Sequence, residues 1–81
     1  MHELSIVQET VAKILDQAKE NGIKKIKEVH LSVGGDLQED SVEFCFRCLA
    51  KGDIFEKYKL KVGRNDGIGI VIERIEGVCA V

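Results

Sequence analysis

The spacing of the hydrophobic residues changes several times along the chain, and this change restricts the fold more than any other feature. In residues 4–19 the hydrophobic positions recur every three or four residues, which is typical of an amphipathic helix. Residues 42–49 have the same spacing. Asp36, with Glu39 three residues later, is expected to cap this second helix.

Three other segments alternate hydrophobic and polar residues, at 28–33, 58–62 and 68–72, and this pattern predicts β-strands. The last two are separated by residues 63–67, which contain two glycines and predict a hairpin loop. Two amphipathic helices can cover one face of a three-stranded sheet. The sequence therefore predicts an α+β fold in the order helix-strand-helix-strand-strand, with two helices packed on one face of a three-stranded mixed sheet.

A chain of 81 residues is long enough for one small domain, so we expect residues 1–81 to form a single domain. The core is expected to contain the hydrophobic residues that recur every three or four positions in the helices or at alternate positions in the strands. They are Val7, Val11, Ile14, Leu15, Val29, Leu31, Phe46, Leu49, Leu60 and Ile70.

Charge and composition argue against several classes of protein. A net charge of −2 and a pI of about 5.6 do not favour nucleic-acid binding. No apolar run is long enough to span a membrane, and the N-terminus lacks the pattern of a signal peptide, so a cytoplasmic location is expected. Three cysteines, an odd number, do not suggest a disulfide framework. No nucleophile is paired with a base, so we do not expect an enzyme.

A histidine at position two offers an unusual chelating group. The amine of Met1, the amide nitrogen of His2 and its imidazole Nδ1 can bind one ion through fused five- and six-membered rings. Planar nitrogen sites of this kind favour Ni(II) or Cu(II) over Zn(II). The alternative is that His2 is an ordinary surface residue near a frayed terminus.

The opening sequence MHELSI resembles the start of the HypA family of nickel-insertion proteins. Residues 25–34, 41–52 and 72–76 are similar to that family's first strand, second helix and closing strand, in the same order. The resemblance implies the fold predicted above and a role in delivering nickel to a [NiFe]-hydrogenase. It implies a nickel site at Met1, His2 and Glu3, with a hydrogenase large-subunit precursor and a nickel-insertion GTPase as partners. Whether the chain is a monomer or a homodimer stays open.

The chain departs from the family pattern between its last two strands. The family inserts there a zinc domain with two C-x-x-C pairs, whereas this chain has only residues 63–67. Five residues without cysteine cannot present four thiolates to zinc. We therefore expect Ni(II) binding without structural zinc.

Two other features leave alternatives open. Cys45 and Cys48 form a C-x-x-C inside the second helix, where cysteine usually behaves as a small hydrophobic residue. Together with Cys79 they would allow a thiol-metal or redox protein. His30 is expected to face away from the apolar side of its strand. Besides nickel delivery and a thiol-metal or redox role, the sequence also allows a protein-interaction module that kept this fold without delivering metal.

Overall fold

A computed structural model describes residues 3–79 and confirms the predicted order of elements. Two helices cover one side of a three-stranded mixed sheet, as the two periods predict. The elements are α1 (Glu3–Glu20), β1 (Ile23–Gly34), α2 (Glu39–Leu49), β2 (Lys59–Arg64) and β3 (Gly69–Cys79).

The first strand lies in the centre of the sheet, whose strand order is β2-β1-β3. It runs parallel to β2, with Val29 opposite Leu60, and antiparallel to β3, with Val29 opposite Ile75. The predicted hairpin between β2 and β3 is therefore wrong, because these strands lie on opposite sides of β1. The reason is that β1, α2 and β2 form a strand-helix-strand unit, and a helical crossover naturally joins parallel neighbours.

Burial explains why β1 takes the central position. Its helix-facing residues Ile26, Val29, Leu31 and Val33 are all almost completely buried. Each such side chain stabilises the fold by about 1.5–3 kcal/mol relative to an exposed one. The edge strands have a less buried apolar side, since Leu60 is the only buried residue of β2 and no residue of β3 is fully buried. The strand with the largest apolar side is therefore covered by both helices.

Most of the predicted core is confirmed. The buried members are Val7, Val11, Ile14, Val29, Leu31, Phe46 and Leu60. Leu49 and Ile70 are half-buried at the edge of the core. The prediction for Leu15 is wrong, since its side chain is 38% exposed. Ile14 points into the core, and the next residue lies about 100° further around the helix.

The start of α2 also differs from the prediction. The helix begins at Glu39, and Gln38 occupies the N-cap position without a side-chain hydrogen bond to the helix. Asp36, the predicted cap, lies instead in the turn that follows β1. The side chain of Glu39 accepts a hydrogen bond from the Arg64 guanidinium at 3.3 Å, which ties the first turn of α2 to the end of β2.

The connection from β2 to β3, residues 65–68, crosses the end of β1. Hydrogen bonds of Asn65 hold this connection against the end of β1. Its backbone N–H donates to the Val33 carbonyl oxygen at 2.8 Å, and its Nδ2 donates to Ser32 Oγ at 2.8 Å. Its Oδ1 accepts a hydrogen bond from the Gly67 N–H at 2.8 Å. One side chain therefore holds both the loop and the strand beneath it.

This crossing requires glycine at position 34. A Cβ atom at Gly34 would overlap the Gly67 carbonyl oxygen and the Oδ1 atom of Asn65. Neither group can move freely, because Asn65 is hydrogen-bonded to Val33 of β1, and the Gly67 N–H donates a hydrogen bond to Asn65.

We predict that Gly34→Ala lowers the free energy of unfolding by about 1–3 kcal/mol, the usual cost of overpacking. Gly63→Ala is the matched control, because a Cβ atom at that strand position would meet open space. Urea denaturation of both variants would check this. An equal effect of the two substitutions would contradict the close crossing at Gly34.

Candidate metal site at the start of the first helix

Glu3 is the only one of the three predicted nickel ligands that lies within the described residues; Met1 and His2 lie outside them. Glu3 opens α1 and is half-buried. The first turn of a helix has unpaired backbone N–H groups and a positive partial charge, so a carboxylate is favourable at this position. Whether Met1 and His2 converge with Glu3 stays a prediction.

Glu3 lines a surface groove of about 520 Å³ where the start of α1 meets the end of β1. Ile6 and Leu37 contribute half-buried apolar surface, and Asp36 adds a second carboxylate. Ile68 borders the groove from the β2–β3 connection and is 93% exposed. Ile68 thus adds exposed apolar surface next to Ile6 and Leu37, on a loop that Asn65 holds in place.

This groove is not predictable from the sequence pattern. Ile68 belongs to an alternating run and was expected in a strand, but it precedes β3, which begins at Gly69. Its neighbours in the groove come from three separate parts of the chain. Only the position of β1 between the other strands brings them together.

His30 lies away from this groove. As predicted, it points to the face of the sheet opposite the helices, where its Nε2 is 2.9 Å from Glu28 Oε1. The hydrogen bond with His30 holds the pKa of the Glu28 carboxyl below its ordinary value, and the positive charges of Lys61 and Arg74 act in the same direction. The structure therefore gives His30 a local partner and does not bring it to Glu3.

The three cysteines are free thiols in different places. Cys45 and Cys48 lie on α2, whereas Cys79 ends β3 with its Sγ 3.5 Å from the Asn21 carbonyl oxygen. Within residues 3–79, no three histidine, cysteine or acidic side chains are grouped so that they could hold one ion. A site that combines all three thiols is therefore not formed.

Comparison with protein families identifies the chain. A family model described as "Hydrogenase/urease nickel incorporation, metallochaperone, hypA" matches residues 1–70. The chain belongs to the HypA family.

Several curated HypA proteins are similar to this chain. Hydrogenase maturation factor HypA of Moorella thermoacetica is 39% identical over 64 residues, which cover 76% of this chain and 57% of that protein. The corresponding factor of Chlorobaculum tepidum is 35% identical over 71 residues, or 85% of this chain and 63% of that protein. The chain thus spans about three-fifths of the length of these relatives.

The fold is also similar to a solved HypA structure. The solution structure of the Ni metallochaperone HypA from Helicobacter pylori aligns with a TM-score of 0.82 and 14% identity, covering 99% of this chain and all of that one. At this identity the likeness concerns the fold alone. Neither described helix of this chain is long and apolar enough to cross a membrane.

The zinc site expected of a HypA protein does not fit the residues present. The β2–β3 connection, where the family's zinc domain would stand, has no cysteine. The cysteines elsewhere in residues 3–79 do not form a four-ligand set, and structural zinc requires four ligands.

We predict that the purified protein melts at the same temperature before and after treatment with a strong chelator, because residues 3–79 offer no four-ligand zinc site. Metal analysis by mass spectrometry and thermal denaturation would check this. One equivalent of zinc that survives dialysis, with a melting temperature that falls on its removal, would overturn the prediction.

Proposed function

We propose that this chain is a nickel-binding accessory protein that delivers Ni(II) during maturation of a [NiFe]-hydrogenase. The observation that carries the proposal is the HypA family match over residues 1–70, a range that includes Met1, His2 and Glu3. The proposed role is non-catalytic and cytoplasmic. Nickel is the cargo, and the partners are a hydrogenase large-subunit precursor and a nickel-insertion GTPase.

The proposed ligands are the Met1 amine, the His2 amide nitrogen and the His2 imidazole Nδ1, with Glu3 or a partner group completing the plane. The amine has a reference pKa of about 8 and must lose its proton, and so must the amide. Nickel affinity should therefore rise between about pH 6 and pH 8.

The position of Glu3 at the start of α1 suits a carrier that must also release its metal. A cation bound beside Glu3 lies near the positive end of the helix dipole, which opposes it by about 0.3–1 kcal/mol. The Glu3 carboxylate and the deprotonated His2 amide would offset that repulsion. Because repulsion by the helix dipole partly cancels attraction by the negative ligands, the site would bind nickel weakly enough to exchange it.

The groove beside Glu3 supports transfer to a second protein. Ile6, Leu37 and exposed Ile68 offer apolar contact surface at the same end of the fold. An acceptor that covers Ile68 would place its own ligands close to Glu3. We propose this end of the molecule as the face that meets the acceptor.

The test is a calorimetric Ni(II) titration of a preparation that begins at Met1. His2→Ala should abolish binding, because it removes a donor and the six-membered ring together. His30→Ala is the matched control and should leave affinity within about twofold, since His30 lies on the opposite face beside Glu28. A peptide leader ahead of Met1 should weaken binding, because it converts the amine into an amide.

The melting temperature should barely change in these variants, because terminal residues usually contribute little to the stability of a core. Nickel affinity that survives both His2→Ala and the leader would move the site elsewhere in the chain. Absence of nickel binding by the unmodified protein would favour an interaction module that kept the fold without the metal.

A further inference from the structure

Cys45 and Cys48 stand one helical turn apart on α2, and nothing in the proposed nickel chemistry uses them. Cys45 is half-buried at the edge of the core, whereas Cys48 is exposed. Both are free thiols. Residues three apart on a helix are neighbours on its surface, so this pair shares one side of α2.

Helix geometry decides what the pair can do. Side chains three apart have Cβ atoms about 5–6 Å from each other, whereas a disulfide requires about 3.5–4.5 Å. A disulfide would therefore distort α2. Two metal–sulfur bonds of about 2.3 Å span up to roughly 4.6 Å between the sulfurs. Helical side chains lean towards the N-terminus, which directs the Cys48 sulfur back over the turn that carries Cys45.

The number of protein ligands available at Cys45 and Cys48 indicates which metal ion they could bind. Within residues 3–79 no third histidine, cysteine or acidic side chain completes a metal site with these thiols. Zn(II) needs four ligands in a structural site, whereas soft thiolates select Cu(I), which accepts two in a line. We propose that Cys45 and Cys48 form a two-thiolate site for Cu(I), separate from the nickel site.

Arg47, one of the two residues between the cysteines, is engaged elsewhere. Arg47 Nε donates a hydrogen bond to Glu43 Oε2 at 3.3 Å, and its guanidinium carbon lies 5.7 Å from the centre of the Tyr58 ring. Tyr58 precedes the edge strand β2, so Arg47 turns towards that edge of the fold. The guanidinium therefore does not compete with a cation for the two sulfurs.

Binding is a ligand exchange without oxidation or reduction. Each thiol loses one proton and forms one sulfur–copper bond, so two protons are released for each Cu(I) bound. Cys48 lies in the last turn of α2, where the helix dipole favours a bound cation. Because binding releases protons, apparent affinity for Cu(I) should rise with pH.

The test is competition for Cu(I) between the reduced protein and a chromophoric Cu(I) chelator without oxygen. The unmodified protein should take one equivalent of Cu(I) from the chelator. Cys48→Ser and Cys45→Ser should each weaken this by at least about tenfold, a difference of 1.4 kcal/mol. Cys79→Ser is the matched control and should have no effect, because Cys79 lies at the end of β3 beside Asn21.

The exposed side chain of Cys48 makes Cys48→Ser the decisive variant, since this substitution leaves the core intact. Circular dichroism would verify the fold of Cys45→Ser, and nickel titration of each serine variant should match the unmodified protein. Equal copper affinity in Cys48→Ser and unmodified protein would overturn the proposal. So would a loss in Cys79→Ser as large as that in Cys48→Ser.

Discussion

Burial of one side of β1 is the interaction on which the rest of the structure depends. Val29 and Val33 of this strand are completely buried, as are Ile14 of α1 and Phe46 of α2 in the same core. The same strand pairs with β2 on one edge and β3 on the other. Loss of this apolar side would therefore separate both helices and both edge strands at once.

The central position of β1 also creates the end of the molecule that we propose as the contact face. Because β2 and β3 flank β1, the connection between them must cross the end of that strand, and Gly34 leaves room for it. The crossing carries Ile68 to the groove at the start of α1, where Glu3 lies. The fold thus joins the beginning of the chain to a connection more than sixty residues later.

The sequence predicted what depends on local spacing. Helical and alternating periods identified α1, β1 and the burial of Val11 and Phe46. It did not predict strand pairing, because β2 and β3 have the spacing of a hairpin, whereas the crossover through α2 places β2 parallel to β1 on the edge opposite β3. The prediction that Leu15 is buried was wrong for a related reason. A helix buries only a narrow stripe of its surface, and the edge of that stripe depends on which elements pack beside the helix.

The candidate site was predictable only in part. The opening MHE pattern predicts nickel chemistry through its resemblance to the HypA family, and Glu3 lies where a carboxylate suits the helix dipole. The groove was not predictable, because Ile6, Asp36, Leu37 and Ile68 meet through the crossing of the β2–β3 connection. Position in the sequence is therefore the basis of the proposed ligands, whereas topology determines the surface around Glu3.

X-ray absorption spectroscopy of the nickel-loaded protein tests the central claim most directly, because it reports the donor atoms and geometry around the metal. Binding through the N-terminal amine, the His2 amide and the His2 imidazole predicts four nitrogen or oxygen donors in a square plane. Sulfur donors would assign nickel to the cysteines. A six-coordinate ion with only oxygen and imidazole donors would contradict the N-terminal chelate.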